Sequence, residues 1–215
     1  MVEQLLAKLA DKSLTKDGLR RRVEQDFGLL PVLLEGTCSA KAAVRYGCAK
    51  VLMDLSAEHP KRLYPYIDEF IAMLDSKYRI LTWNALAIVA NLTNADRDKR
   101  FDAVLDKYYS FLDNEYMVTV ANTVGNSGKI ALAKPYLIPR ITAELLKIEN
   151  VSVAPHMTAE CKRVIVEKAV GTFDLFFDKL GQKEKKEVLG FVERQLNSSR
   201  RTLSVKAAGF LEKWR

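Results

Sequence analysis

The chain has 215 residues, 48% hydrophobic and 28% charged, which is the balance of a folded chain with a sizeable core and excludes a disordered one. Glycine and proline together number 16, too few for the many tight turns of a sandwich or barrel of short strands. The net charge is +7, of which +5 falls in residues 151–215, and mild basicity of this kind usually serves solubility.

The opening Met-Val-Glu-Gln-Leu-Leu-Ala-Lys-Leu-Ala reads as a short capping helix near Val2–Ala10, within a cap of residues 1–18. It has no basic region followed by an apolar stretch, and no later apolar run approaches the ~20 residues of a membrane span. No membrane partner is expected, and the localisation read from this is cytoplasmic.

Beyond the cap, apolar residues recur at helical spacing. Ile67, Phe70, Ile71 and Leu74 mark one helix face, and Ile80, Trp83, Ala87, Ile88 and Leu92 mark another. Cys161, Val164, Ile165, Ala169, Phe173, Phe176, Phe177 and Leu180 form a stripe of more than five turns. Turn signals at Glu35 to Ser39, Asp75-Ser76, Asp113-Asn114 and Asn197 to Ser199 separate these runs, and longer polar joints fall at Glu58 to Lys61, Asn94 to Asp98 and Asn150 to Pro155. Side chains of Ser, Asp and Asn suit such places because they accept from the free N–H groups of a helix start. The pattern predicts an all-α single domain over 1–215, with helix pairs at about 19–57, 61–93, 98–128, 135–180 and 182–215.

The pairs are related. Leu30-Pro31-Val32-Leu33, Tyr64-Pro65-Tyr66-Ile67 and Ile138-Pro139-Arg140-Ile141 share one pattern early in the first helix of a pair. Val44, Ile80, Val118 and Leu203 are expected at equivalent buried positions of the second helices. A two-helix repeat of about 36–43 residues is the mark of an α-solenoid. Leu63 to Ile67 through Leu74-Asp75, Val44-Arg45 with Cys48-Ala49 and Leu52, and the helix ending expected at Val124-Gly125-Asn126-Ser127-Gly128 together resemble the HEAT repeats of the HEAT/armadillo superfamily. That resemblance implies a right-handed α-α superhelix of about five HEAT-like helix pairs. Arg45 alone keeps the arginine of the pattern, with Leu81 and Thr119 at the places taken as equivalent.

Catalytic patterns are scarce. There is no glycine-rich phosphate loop, His-Glu-x-x-His or Gly-x-Ser-x-Gly spacing. His59 and His156 are the two histidines, and Cys38, Cys48 and Cys161 lack Cys-x-x-Cys spacing, so neither a zinc site nor a histidine relay is expected, and reduced, buried thiols are. Asp96 and Asp98, and Asp102 and Asp106, are interleaved with Arg97, Lys99, Arg100 and Lys107, which reads as a solvated, self-neutralised helix start. Some HEAT-like proteins are alkylpurine DNA glycosylases, and for that comparison Trp83 is the best aromatic. The expectation is a protein without enzymatic activity and without a cofactor.

Two features suggest binding. Lys77, Asn84 and Asn91, spaced by seven, form a polar stripe that recurs under a shift of 38 as Glu115, Asn122 and Lys129. An Asn amide both donates and accepts, as recognition of a peptide backbone requires. Armadillo repeats resemble this in holding extended peptides with inner-helix Asn, and the other reading is internal glue. Trp83 joins these as a candidate contact. The second feature is the basic C-terminal third, where Lys185, Lys186, Arg200 and Arg201 are candidates for anion binding. The partner expected is a protein or peptide on the concave surface, with nucleic acid as the alternative.

Overall fold

A computed structural model describes residues 2–150 and 156–215, and the joint expected at Asn150 to Pro155 lies, Asn150 apart, outside the described residues. These residues are mostly helical, with no strand among them. They fall into two compact units, 1–101 and 102–215.

The first unit comprises α1 (Val2–Ala10), α2 (Lys16–Gln25), α3 (Leu30–Thr37), α4 (Ala42–Glu58), α5 (Pro60–Leu63), α6 (Ile67–Met73) and α7 (Arg79–Leu92). α2 begins where Thr15 accepts from the Gly18 N–H, and it buries Leu19 and Val23, one turn apart. α3 follows a 3-10 turn at Phe27–Leu29, with Pro31 in its first turn where no N–H is needed. α3 packs on α4, and α4 and α6 both pack on α7. Gly36 permits the first contact, because a β-carbon there would lie 2.5 Å from Cys48 Sγ. Leu33, Leu52, Leu55, Leu63, Ile67, Phe70 and Ile88 form the core.

The second unit comprises α8 (Leu105–Ser110), α9 (Met117–Ala133), α10 (Ile138–Leu146), α11 (Ala159–Asp174), α12 (Gln182–Glu193) and α13 (Arg201–Trp214). α11 packs against α9 on one side and α13 on the other. Thr172 donates across to the Val124 carbonyl at 3.1 Å, a buried helix-to-helix bond. Phe173 stands edge-on to Phe176 and Phe191, and Phe177 edge-on to Phe210. The long stripe predicted from Cys161 to Leu180 is therefore split: α11 stops at Asp174, and Phe177 sits in a 3-10 turn.

One local device starts four of the long helices. Ser39, Ser76, Asn114 and Ser198 each accept, through the side chain, the backbone N–H two residues on, at Lys41, Tyr78, Tyr116 and Arg200. Those four residues are extended and precede α4, α7, α9 and α13. These are the Asx- and Ser-turns that short polar side chains make. They set the repeat register at 37, 38 and 84 residues.

This register corrects the one read from apolar matches. The equivalent buried residues are Val44, Leu81, Thr119 and Leu203, whereas Ile80 and Val118 are 40% and 38% exposed. A one-residue slip turns a helix by about 100°, and an apolar residue just outside the buried face satisfies the same spacing. The slip also misplaced the counterpart of Arg45. That counterpart is Thr82, since Arg45 donates to the Ser39 carbonyl and Thr82 to the Ser76 carbonyl.

Three further expectations are overturned. Pro65 lies in a 3-10 turn ahead of α6, whereas Pro31 and Pro139 lie inside α3 and α10. The three proline segments are out of register because spacings of three and four both keep a residue on one helical face. Gly125 and Gly128 do not end a helix, since α9 continues to Ala133. They are small because α11 comes close: β-carbons there would meet Lys168 and Leu175 closer than 3.0 Å. Finally, the segment around Asp96 is no solvated helix start. Asp96 is buried and accepts from the Arg100 and Phe101 N–H groups and the Tyr64 hydroxyl, which tie a turn together.

Candidate functional site

Buried polar groups account for several residues that chemistry alone would nominate. Arg45 is 5% exposed. Its guanidinium donates to the Ser39 and Ala40 carbonyls and lies 3.8 Å from the Tyr78 ring centroid. Burial pushes the Cys48 thiol up to about 12; the three cysteines form no disulfide, but of the thiols expected to be buried only Cys48 is, Cys38 being exposed and Cys161 half-buried. Among the described residues, Glu24, Glu58 and His59 are the one group with cation-ligand spacing, but Arg20 already donates to both glutamates.

The candidate contacts separate by unit. In the first, Lys77 precedes α7 instead of lying on it and sits near the Tyr78 ring, and Trp83 is half-buried on α7. Asn84 is buried and donates to the Ile80 carbonyl at 2.9 Å. Asn91 is buried and donates to Ser56 Oγ at 2.8 Å. In the second unit, Asn122 repeats the Asn84 arrangement, donating to the Val118 carbonyl at 2.8 Å. An exposed aliphatic residue followed one turn later by an Asn clamped to its carbonyl thus occurs at equivalent places in α7 and α9.

The basic candidates also divide. Arg200, at the start of α13, pairs with Glu167 at 2.6 Å and with Glu160. Lys206 pairs with Glu167, Lys213 with Asp174, Arg194 with Glu149, and Arg215 with Glu193. Lys185 lies near the Phe177 ring, while Lys186 and Arg201 are exposed.

Asn122 and Arg200 meet in one place, a cleft of about 430 Å³ along α9, α11 and α13. Its apolar lining is Met117, Val118, Ala121 and Val164, and its charged lining is Glu167, Lys168, Arg200 and Lys206. Burial raises the Glu167 pKa, but the hydrogen bonds from Arg200 and Thr202 and the Lys206 charge lower it more, so it stays below the ordinary value. Lys129, the residue after Gly128 on α9, is held below the ordinary lysine range by burial and by the Lys168 charge. Such a surface offers apolar contact, one amide and paired charges, and it holds no nucleophile poised by a base.

The sequence matches no family model and no curated protein. Solved structures do match. A designed armadillo repeat protein, YIII(Dq.V1)4CPAF in complex with peptide (KR)4, has TM-score 0.68 and 16% identity, covering 100% of this chain and 98% of that one. Computationally designed armadillo repeat proteins for modular peptide recognition give 0.66 and 17%, covering 98% and 90%. The designed armadillo repeat protein YIII(Dq)4CqI gives 0.62 and 18%, again over 98% and 90%. The fold is an armadillo-like helical repeat.

Lys168, Glu167 and Val118 are cleft residues that the sequence did not nominate for binding. The register of apolar matches assigns Val118 to the core, whereas it is exposed. Lys168 owes its place to Gly125, 43 positions earlier, and no local pattern carries that. The exposed aliphatic one turn ahead of each Asn is the signal that was available.

Proposed function

We propose that the protein is a non-enzymatic scaffold that binds a protein or an extended peptide on the second-helix surface of its armadillo-like repeats. The observation carrying this is the α9–α11–α13 cleft, where exposed Val118 and half-buried Met117 lie beside the Asn122 amide and a charged rim. Apolar pockets read alternate side chains of an extended ligand, and an amide reads its backbone. The neighbour described with peptide (KR)4 supports a peptide in general. Within this fold we read the helix pairs as HEAT-like and the protein as cytoplasmic with reduced thiols.

The alternative of nucleic-acid binding has a narrower basis. Lys162, Lys183, Lys186 and Arg201 make no ion pair among the described residues, whereas Arg194, Arg200, Lys206 and Lys213 do. Affinity capture from lysate, before and after nuclease, tests both readings against a Val118→Glu variant. The scaffold reading requires a partner that survives nuclease and is lost on Val118→Glu. Sub-micromolar duplex DNA binding at about 0.15 M salt would replace it with the alternative.

A further inference from the structure

The cleft on α9, α11 and α13 carries an unbalanced charge. Glu167 is its one carboxylate, against Lys168, Arg200 and Lys206. Arg200 and Lys206 both engage Glu167, and Arg200 also engages Glu160. Lys168 is different: it is exposed and, among the described residues, pairs with no carboxylate, unlike Arg200 and Lys206. Its position is set by α9. A β-carbon at Gly125 would collide with Lys168 Cε and lie 3.3 Å from Nζ, so the lysine stem lies flat across the glycine with its ammonium over α9. Lys206 lies over α11 in a similar way, its Nζ 3.7 Å from where a β-carbon on Gly171 would be. Two ammonium groups thus stand over successive helices, beside an apolar floor and the Asn122 amide.

We propose that this cleft takes an acidic extended peptide, with aspartate or glutamate side chains on Lys168 and Lys206 and small aliphatic side chains on Val118, Ala121 and Val164. The proposal rests on the scaffold reading and adds the partner's charge, which is opposite to that of the (KR)4 peptide of the designed neighbour. A carboxylate on Lys168 supplies the counter-charge that no described residue supplies, whereas a basic peptide meets two lysines and an arginine whose carboxylate is already engaged.

The test uses three labelled peptides, Asp-Leu-Asp-Ala-Asp-Leu-Asp-Ala and its analogues with Ser or Lys at every Asp, measured by fluorescence anisotropy on the whole chain. The acidic peptide is expected to bind most tightly, to weaken with salt, and to lose about tenfold in affinity on Lys168→Glu, with unchanged circular dichroism. Equal or tighter binding of the Ser or Lys peptide, abolished by Val118→Glu, would overturn the charge assignment and leave the scaffold standing. Failure of all three peptides would remove the acidic-peptide assignment and leave the scaffold reading to the lysate capture. A short duplex DNA that binds more tightly than the acidic peptide and is released by Lys168→Glu would reassign the cleft to nucleic acid.

Discussion

Asn122 on α9 donates to the carbonyl of Val118, one turn back, at 2.8 Å, and this fixes an amide beside an exposed aliphatic side chain. Asn84 and Ile80 stand in the same relation on α7. The pair is the unit of surface that the fold repeats. Replacing Asn122 by Ala is expected to weaken acidic-peptide binding several-fold and to change stability by less than about 1 kcal/mol, because the lost bond is a partly exposed one to the helix's own backbone. Anisotropy and urea denaturation separate the two effects, and a large stability loss would make Asn122 internal glue.

The register makes a sharper demand on stability. Leu81 is buried on α7 and Ile80 is exposed. Leu81→Ala is expected to cost about 2–4 kcal/mol, through lost burial and the cavity left behind. Ile80→Ala should cost less than about 1 kcal/mol. Urea midpoints of the two variants decide the matter, and a reversed order would restore the register read from apolar matches.

Arg45 tests a different kind of burial. Arg45→Ala removes two donations to the backbone of the turn before α4 and the stack on Tyr78, at an expected cost of about 2–4 kcal/mol. Arg45→Lys should recover less than half of that, since an ammonium has neither the fork nor the plane. Full rescue by lysine would reduce the site to a point charge.

Gly125→Ala separates helix propensity from the position of Lys168. Alanine is favoured over glycine by about 1 kcal/mol in a helix interior, and the atom it meets belongs to a flexible side chain. Stability is expected to hold within about 1 kcal/mol, while acidic-peptide affinity falls because the ammonium has left its place. Unaltered affinity would show that Lys168 needs no fixed position.

Acid should weaken the α11–α13 contact. Glu167 keeps a folded-state pKa below its ordinary 4.5 despite burial, because Arg200, Thr202 and Lys206 hold its charged form. A depressed carboxylate contributes stability that is complete above pH 4.5 and is lost as pH falls through the folded value. The urea midpoint of the wild type should therefore drop below about pH 4.5 more steeply than that of Glu167→Gln, while the variant is the less stable of the two near neutrality. Parallel profiles would remove Glu167 from the account.

Helix content and the polar turn signals were legible in the sequence because each is local. Ser76 two residues before Tyr78, or Asn114 two before Tyr116, carries its own hydrogen-bond chemistry wherever the chain goes. The Asn84 and Asn122 equivalence was legible for the same reason. What lay beyond the sequence was which side of a helix faces inward, since Val118 and Thr119 differ by a rotation of about 100° and only the packing of neighbouring helices chooses between them. Burial of Asp96 and the placing of Lys168 over Gly125 are of this second kind. They join residues whose separation along the chain encodes nothing, and they exist because α-helices close enough to share a core must find room for each other's side chains.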